Sequence, residues 1–107
     1  MPDFASDAAR IFGERVRAQR LKIGVSQETL AELSGIHWTA LGKIERGLRN
    51  PSLHNIVKIA SGLAVDPGTL LAGITRADLG ALAEKESAAD RIRRSRATPA
   101  KRAKRAS

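Results

Sequence analysis

Helix-breaking residues recur through the first 74 positions of this 107-residue chain: Gly24, Gly35, Gly47 with Asn50-Pro51, Asp66-Pro67, and Gly73. Between them apolar side chains return at helical spacing, and no segment alternates as a strand would. A chain punctuated in this way folds as short helices joined by short connections, each too small to hold until it packs on its neighbours. The expected class is therefore all-α, with five helices in the first 74 residues.

Residues 6–22 carry Ile11, Phe12, Val16 and Leu21, with Ala8 and Ala9, as a rough stripe flanked by Arg10, Arg15 and Arg17; Gly24 suits a left-handed cap. Ser26 is a good N-cap for the second helix, SQETLAELSG, about two turns long, with Glu28 in its favourable first turn and Leu30 and Leu33 expected inward. The third runs over roughly 37–46 and stops at Gly47. Ser52 caps the fourth, SLHNIVKIASGL, in which Leu53, Ile56, Val57, Ala60 and Leu63 give the strongest amphipathic pattern in the chain. Asp66-Pro67 opens a short fifth through Leu70 and Leu71 toward Gly73. Beyond Ile74, TRADLGALAEKESAADRIRR is a candidate further helix whose Leu79, Leu82 and Ile92 leave only a thin apolar edge, and the last dozen residues read as disordered. The expected division is a lead-in and helix start over 1–9, a domain over 10–74 and an extension over 75–107.

Cysteine is absent, and His37 and His54 are the only histidines, so neither disulfides nor a familiar metal-ligand pattern is expected. The start of the chain has neither a basic leader nor an apolar stretch, and no run of 18 apolar residues occurs. A cytoplasmic protein without cofactor or membrane span is the expectation. No nucleophile stands beside a base at motif spacing and no glycine loop is built to cradle phosphate, so no catalytic residue is assigned. The formal net charge is +8, but eight of the 19 Lys and Arg fall in residues 91–107, where there is no acid; residues 1–90 hold 11 of each sign. The charge is a property of the extension. It suits phosphate contacts without sequence preference, with a solvated tail as the alternative.

Two short helices joined by LSGI, with glycine in the turn, form a helix-turn-helix, in which the first helix braces and the second is presented. Ala31 is small where the two would cross. In the presented helix Ile36, Leu41 and Ile44 must face the core, which turns His37, Trp38, Thr39 and Lys43 outward. Burying Trp38 would rotate Leu41 and Ile44 partly into solvent. An exposed, base-contacting tryptophan is one option, and partial packing against the preceding helix the other. Two features weaken this helix on paper: His37 stands at its N-cap in place of Ser or Thr, and Gly42 in its middle costs about 1 kcal/mol against alanine.

With its flanks, the sequence RAQRLKIGVSQETLAELSGI followed by LGKIERGLRNPSLHNIVKIASGLAV resembles the Cro/C1-type, or Xre-family, DNA-binding domain over about residues 10–74. The resemblance implies a five-helix fold with the third helix in the DNA major groove. Gln27, with its neighbour Ser26, occupies the family's SQ position, where the glutamine bonds a backbone phosphate and buttresses the first base-reading residue. Arg20 and Glu45 occupy the positions of a partly buried ion pair. Arg46, Arg49, Asn50 and Ser52 fall in the loop that the family lays along a phosphate strand, while Lys43 suits guanine and Thr39 a base edge or a thymine methyl.

The function implied is that of a regulator of transcription, a repressor or autoregulator, acting on double-stranded DNA as a homodimer at a palindromic operator, with Leu70, Leu71 and Ile74 as candidate interface residues. Their alternative role is core packing, expected for at least one of the three. Two other functions share the domain: an antitoxin whose 75–107 segment binds a toxin partner, and a restriction-modification controller.

Overall fold

Five side chains start the five helices of the domain. Ser6 Oγ accepts from the Ala9 N–H at 3.0 Å, Ser26 Oγ from Thr29 at 3.0 Å, His37 Nδ1 from Thr39 at 3.1 Å, Ser52 Oγ from Asn55 at 3.1 Å, and Asp66 Oδ1 from Gly68 at 2.8 Å. Each satisfies an N–H that the first turn of a helix leaves without an intrahelical acceptor. The helices that follow are α1 (Asp7–Ile23), α2 (Gln27–Ser34), α3 (Trp38–Glu45), α4 (Leu53–Leu63) and α5 (Pro67–Leu71), in a computed structural model that describes residues 3–80 and 85–96. A further helix, α6 (Ala88–Arg96), lies beyond a 3-10 turn at Arg76–Asp78. There is no strand among the described residues, so the class is all-α.

The core draws on every helix of the domain: Phe12 and Val16 from α1, Leu30 and Ala31 from α2, Leu41 and Ile44 from α3, Ile59, Ala60 and Leu63 from α4, and Leu70 from α5. Val25, Ile36, Ile56, Val65 and Ile74 close around it. α2 lies along α4, α1 crosses α3, and α5 packs on α1 and α4.

Both principal crossings are made at glycines that stand out in no sequence pattern. A Cβ on Gly62 would fall 2.2 Å from Ser34 Oγ, and one on Gly13 would fall 2.2 Å from the Ile44 carbonyl oxygen and 2.7 Å from that of Glu45. The backbones of α1 and α3 therefore meet with nothing between them.

The first crossing corrects the expected inward face of α2. Leu30, Ala31 and Ser34 are buried, whereas Leu33 is 65% exposed, because α4 approaches too closely at Gly62 for a larger side chain than serine to face it. In α4 the core takes Ile56, Ile59, Ala60 and Leu63; Leu53 and Val57, expected inside, are 75% and 48% exposed. Apolar residues there cover more than one helix face, and the core can use only one. Leu21, expected in the stripe of α1, is likewise exposed. The segment after Ile74 is not one continuous helix: it turns at Arg76–Asp78, passes Gly80 at φ 62° and resumes at Ala88. Leu82 and the expected disordered end of the chain lie outside the described residues.

Candidate nucleic-acid interface

The turn between α2 and α3 is set by Gly35, whose φ of 69° is a left-handed conformation that a side chain would strain. Its N–H closes α2 on the Ala31 and Glu32 carbonyls, and the Gly35 carbonyl accepts from Lys58 Nζ of α4 at 3.2 Å. Ile36 then packs against the core, and α3 follows with Leu41 and Ile44 fully buried. The opposite face carries Trp38, 54% exposed, with Thr39 and Lys43 also exposed.

Trp38 is outward, yet it is not isolated. Its ring stacks with His37, centroids 6.2 Å apart at 22°, and it lines a shallow groove with Glu28, Ala31, Glu32 and Ile36. The two arrangements opposed from sequence are therefore compatible: one edge of the indole borders α2 while more than half of the residue is open.

His37 is a better cap than its residue type suggested. Nδ1 accepts the Thr39 N–H, and the Thr39 hydroxyl meets the same nitrogen. An accepting Nδ1 places the proton of the neutral imidazole on Nε2, so the ring offers a donor there. The Thr39 methyl group remains for other contacts.

At the other end of α3, Glu45 is almost completely buried and accepts three hydrogen bonds: from Arg20 Nε at 2.7 Å, Arg20 Nη2 at 3.0 Å and Gln27 Nε2 at 3.0 Å. Arg20 also donates to the Val25 carbonyl. The hydrogen bond to Glu45 leads in raising the Arg20 pKa above its ordinary value, against the opposing effect of burial. The pair locks α1 to the end of α3. Gln27, which sequence reasoning assigned to phosphate, has one amide hydrogen committed to this cluster and one left over. The positions of Arg20 and Glu45 were legible from the resemblance; the bond joining Gln27 to them needed three-dimensional placement.

Gly42 has its explanation here too. A Cβ would lie 3.3 Å from Arg46 Nη1 and 3.7 Å from Gln27 Oε1, so two of the assigned side chains converge over this bare stretch of helix.

After α3 the loop presents Arg46, Arg49, Asn50 and Ser52, all exposed. Residues assigned to a lead-in hold it from behind: the Ala5 N–H donates to the Gly47 carbonyl at 2.9 Å, and the Ser6 hydroxyl to Asn50 Oδ1 at 3.2 Å. Phe4 sits against Gly47, and the Arg10 guanidinium carbon lies over its ring, 6.0 Å from the ring centroid. Charge is graded along α3, with Glu28 and Glu32 beside its start and Lys43, Arg46 and Arg49 at and beyond its end.

Of the candidate interface residues, Leu70 is 1% exposed and belongs to the core, its carbonyl held by Arg15 Nη1 at 3.2 Å. Leu71 is 39% exposed and Ile74 half-buried, and both line an apolar cleft with Phe12, Pro51 and Ile56. Among the described residues no cluster of three or more metal-ligating side chains occurs, and no helix is long and apolar enough to cross a membrane.

The model of the Helix-turn-helix family matches residues 16–70. Control protein C.BamHI of Bacillus amyloliquefaciens is 50% identical over 62 residues, which are 57% of this chain and 76% of that protein. Among solved structures, the restriction-modification controller protein C.AhdI from Aeromonas hydrophila matches with a TM-score of 0.57 and 48% identity, over 58% of this chain and 94% of that one. The P22 c2 repressor protein in complex with a synthetic operator matches with a TM-score of 0.54 and 32% identity, over 59% and 96% of the two chains.

Proposed function

Because this chain belongs to the helix-turn-helix family, we propose that it is a sequence-specific regulator of transcription that binds double-stranded DNA with α3 in the major groove. The observation that carries this is the two-sidedness of α3. Leu41 and Ile44 are fully buried while Trp38, Thr39 and Lys43 stand clear, with cations continuing into the loop at Arg46 and Arg49. Lys43 donates to guanine O6 or N7, Thr39 accepts from a base amino group or touches a thymine methyl, and His37 donates through Nε2. Trp38 presents an apolar edge to the groove. Arg46, Arg49, Asn50, Ser52, Ser26 and the free hydrogen of the Gln27 amide serve phosphates and fix the register.

One α3 touches too few base pairs to select a site in a genome, so the chain acts as a homodimer on a palindrome with half-sites about one turn apart. Leu71 and Ile74, beside the apolar cleft, are the interface residues that remain once Leu70 is assigned to the core.

Selection from randomised duplexes tests this. Wild type should enrich a palindrome; Lys43→Ala should change the preferred bases, and Arg49→Ala should weaken all sites alike. Identical preference profiles for the two variants would overturn the division between base and phosphate contacts. The 50% identity to C.BamHI and 48% to C.AhdI favours a more particular role, control of a restriction-modification system. In that case the selected palindrome should lie upstream of neighbouring nuclease or methyltransferase genes.

A further inference from the structure

Helix α6 is built with care and buries nothing. The Asp90 N–H donates to Ser87 Oγ at 3.0 Å and the Ser87 N–H donates to Asp90 Oδ2 at 3.3 Å, a reciprocal box at the helix start. Glu86 Oε1 receives Arg91 Nε at 2.9 Å and Arg94 Nη2 at 3.0 Å, and Arg93 is paired with Asp90. Arg93, Arg94 and Arg96 fall in the last turn, where cations oppose the helix dipole. A nine-residue helix is marginal on its own in water. This one has its ends and its charges arranged for helicity, and no buried residue to justify the arrangement.

We propose that α6 is a second duplex-binding element, whose Arg91, Arg93, Arg94 and Arg96 engage DNA phosphates flanking the site held by α3. The inference rests on the proposed function and extends it to a segment outside the family match at 16–70.

Four arginines, with Lys85, outnumber the acids Glu86 and Asp90 in this segment, and four more Lys or Arg follow it in the sequence. Ala88, Ala89 and Ile92 share one edge of the helix, which Arg96 also enters, and Arg91, Arg93 and Arg94 occupy the rest of its circumference. With Ile92 as the single large apolar residue, that edge is too small to anchor a helix in lipid, which takes a broad apolar face besides cations. Duplex phosphate needs no such face. The ten residue steps from Asp78 to Ala88 let α6 lie up to roughly 35 Å, about one duplex turn, from the end of the domain that carries α3. The helix therefore acts as a tethered second ligand, present at high effective concentration.

The test uses the full-length chain and its variant R91Q/R93Q/R94Q/R96Q, with affinity measured against salt on the selected palindrome and on an unrelated duplex. Each phosphate that the variant leaves unneutralised flattens the log–log slope by about 0.9, so the slope should flatten by roughly 2 to 3.6 units per protomer, twice that for a bound homodimer, on both duplexes while wild-type site preference is retained. An unchanged slope on both overturns the inference, and does so decisively if the arginines instead govern binding to phosphatidylserine vesicles or retention of a protein partner. Should wild type prefer no sequence at all while the slope still falls, the assignment of α3 fails and that of α6 stands. A second variant, Glu86→Gln, removes the carboxylate that competes with phosphate for Arg91 and Arg94, and should raise affinity several-fold. A fall in affinity would mean that the clamp serves only the helix, against the inference.

Discussion

Substituting Glu45 by alanine tests the claim that α3 is held by a buried charge cluster. The Glu45 side chain is 1% exposed and that of Arg20 10%, and two of the three hydrogen bonds on the carboxylate come from this one guanidinium. Removing the acid strands a cation out of water, which costs about 3–5 kcal/mol; an exposed pair would contribute less than about 1. For a domain of this size each kcal/mol moves the melting point by roughly 4–8 °C, so Glu45→Ala should melt at least about 12 °C below wild type in the absence of DNA. Arg20 has its pKa raised, so its contribution is complete below its ordinary value and is lost only as pH climbs through the higher one. On the arginine side, therefore, the depression should be the same throughout the neutral range. The double variant Arg20→Met/Glu45→Leu, which removes both charges and keeps volume, should recover most of the loss. A drop under about 4 °C for Glu45→Ala, followed by circular dichroism, would refute the buried-cluster argument.

Gly13→Ala places a methyl group against the carbonyls of Ile44 and Glu45 and should cost about 3 kcal/mol or more, because the obstruction is backbone; denaturant titration checks it. Ala64 ends α4 at φ 58°, so Ala64→Gly should stabilise the domain by about 1 kcal/mol in the same assay. His37→Ala should cost about 1 kcal/mol through the lost cap on α3 and His37→Ser should restore it; equal melts for wild type and the alanine variant would show that the imidazole carries no load. Asp90 is held below its ordinary carboxyl pKa, first by its bond to Arg93 and then by Ser87. Its support of α6 should therefore persist below the usual aspartate range and fade only as pH falls through the lowered value, visible in the Ser87 amide resonance.

Breakers and caps made the helices legible, because Ser26, Ser52, Asp66-Pro67, Gly24 and Gly35 act through their own local backbone. What stayed hidden is what depends on a neighbour. Leu33 and Ser34 differ in burial because of Gly62 in another helix, and Gly13 carries no pattern of its own until α3 is laid across it. On α3, periodicity placed Trp38, Thr39 and Lys43 outward since Leu41 and Ile44 left no other choice. It could not reveal that Gln27 reaches Glu45, nor that Asn50 is bonded to Ser6, because those partners are 18 and 44 positions apart. Leu70 and Leu71, adjacent and chemically identical, went to opposite environments for the same reason.

The bare crossing at Gly13, together with the Arg20–Glu45–Gln27 cluster, fastens α3 by its buried side and its C-terminal end. Trp38, Thr39 and Lys43 take no part in that fastening. If α3 reads bases as proposed, substitution of Lys43, which no cap or stack engages, would change the site selected while the buried fastening of the helix stays intact.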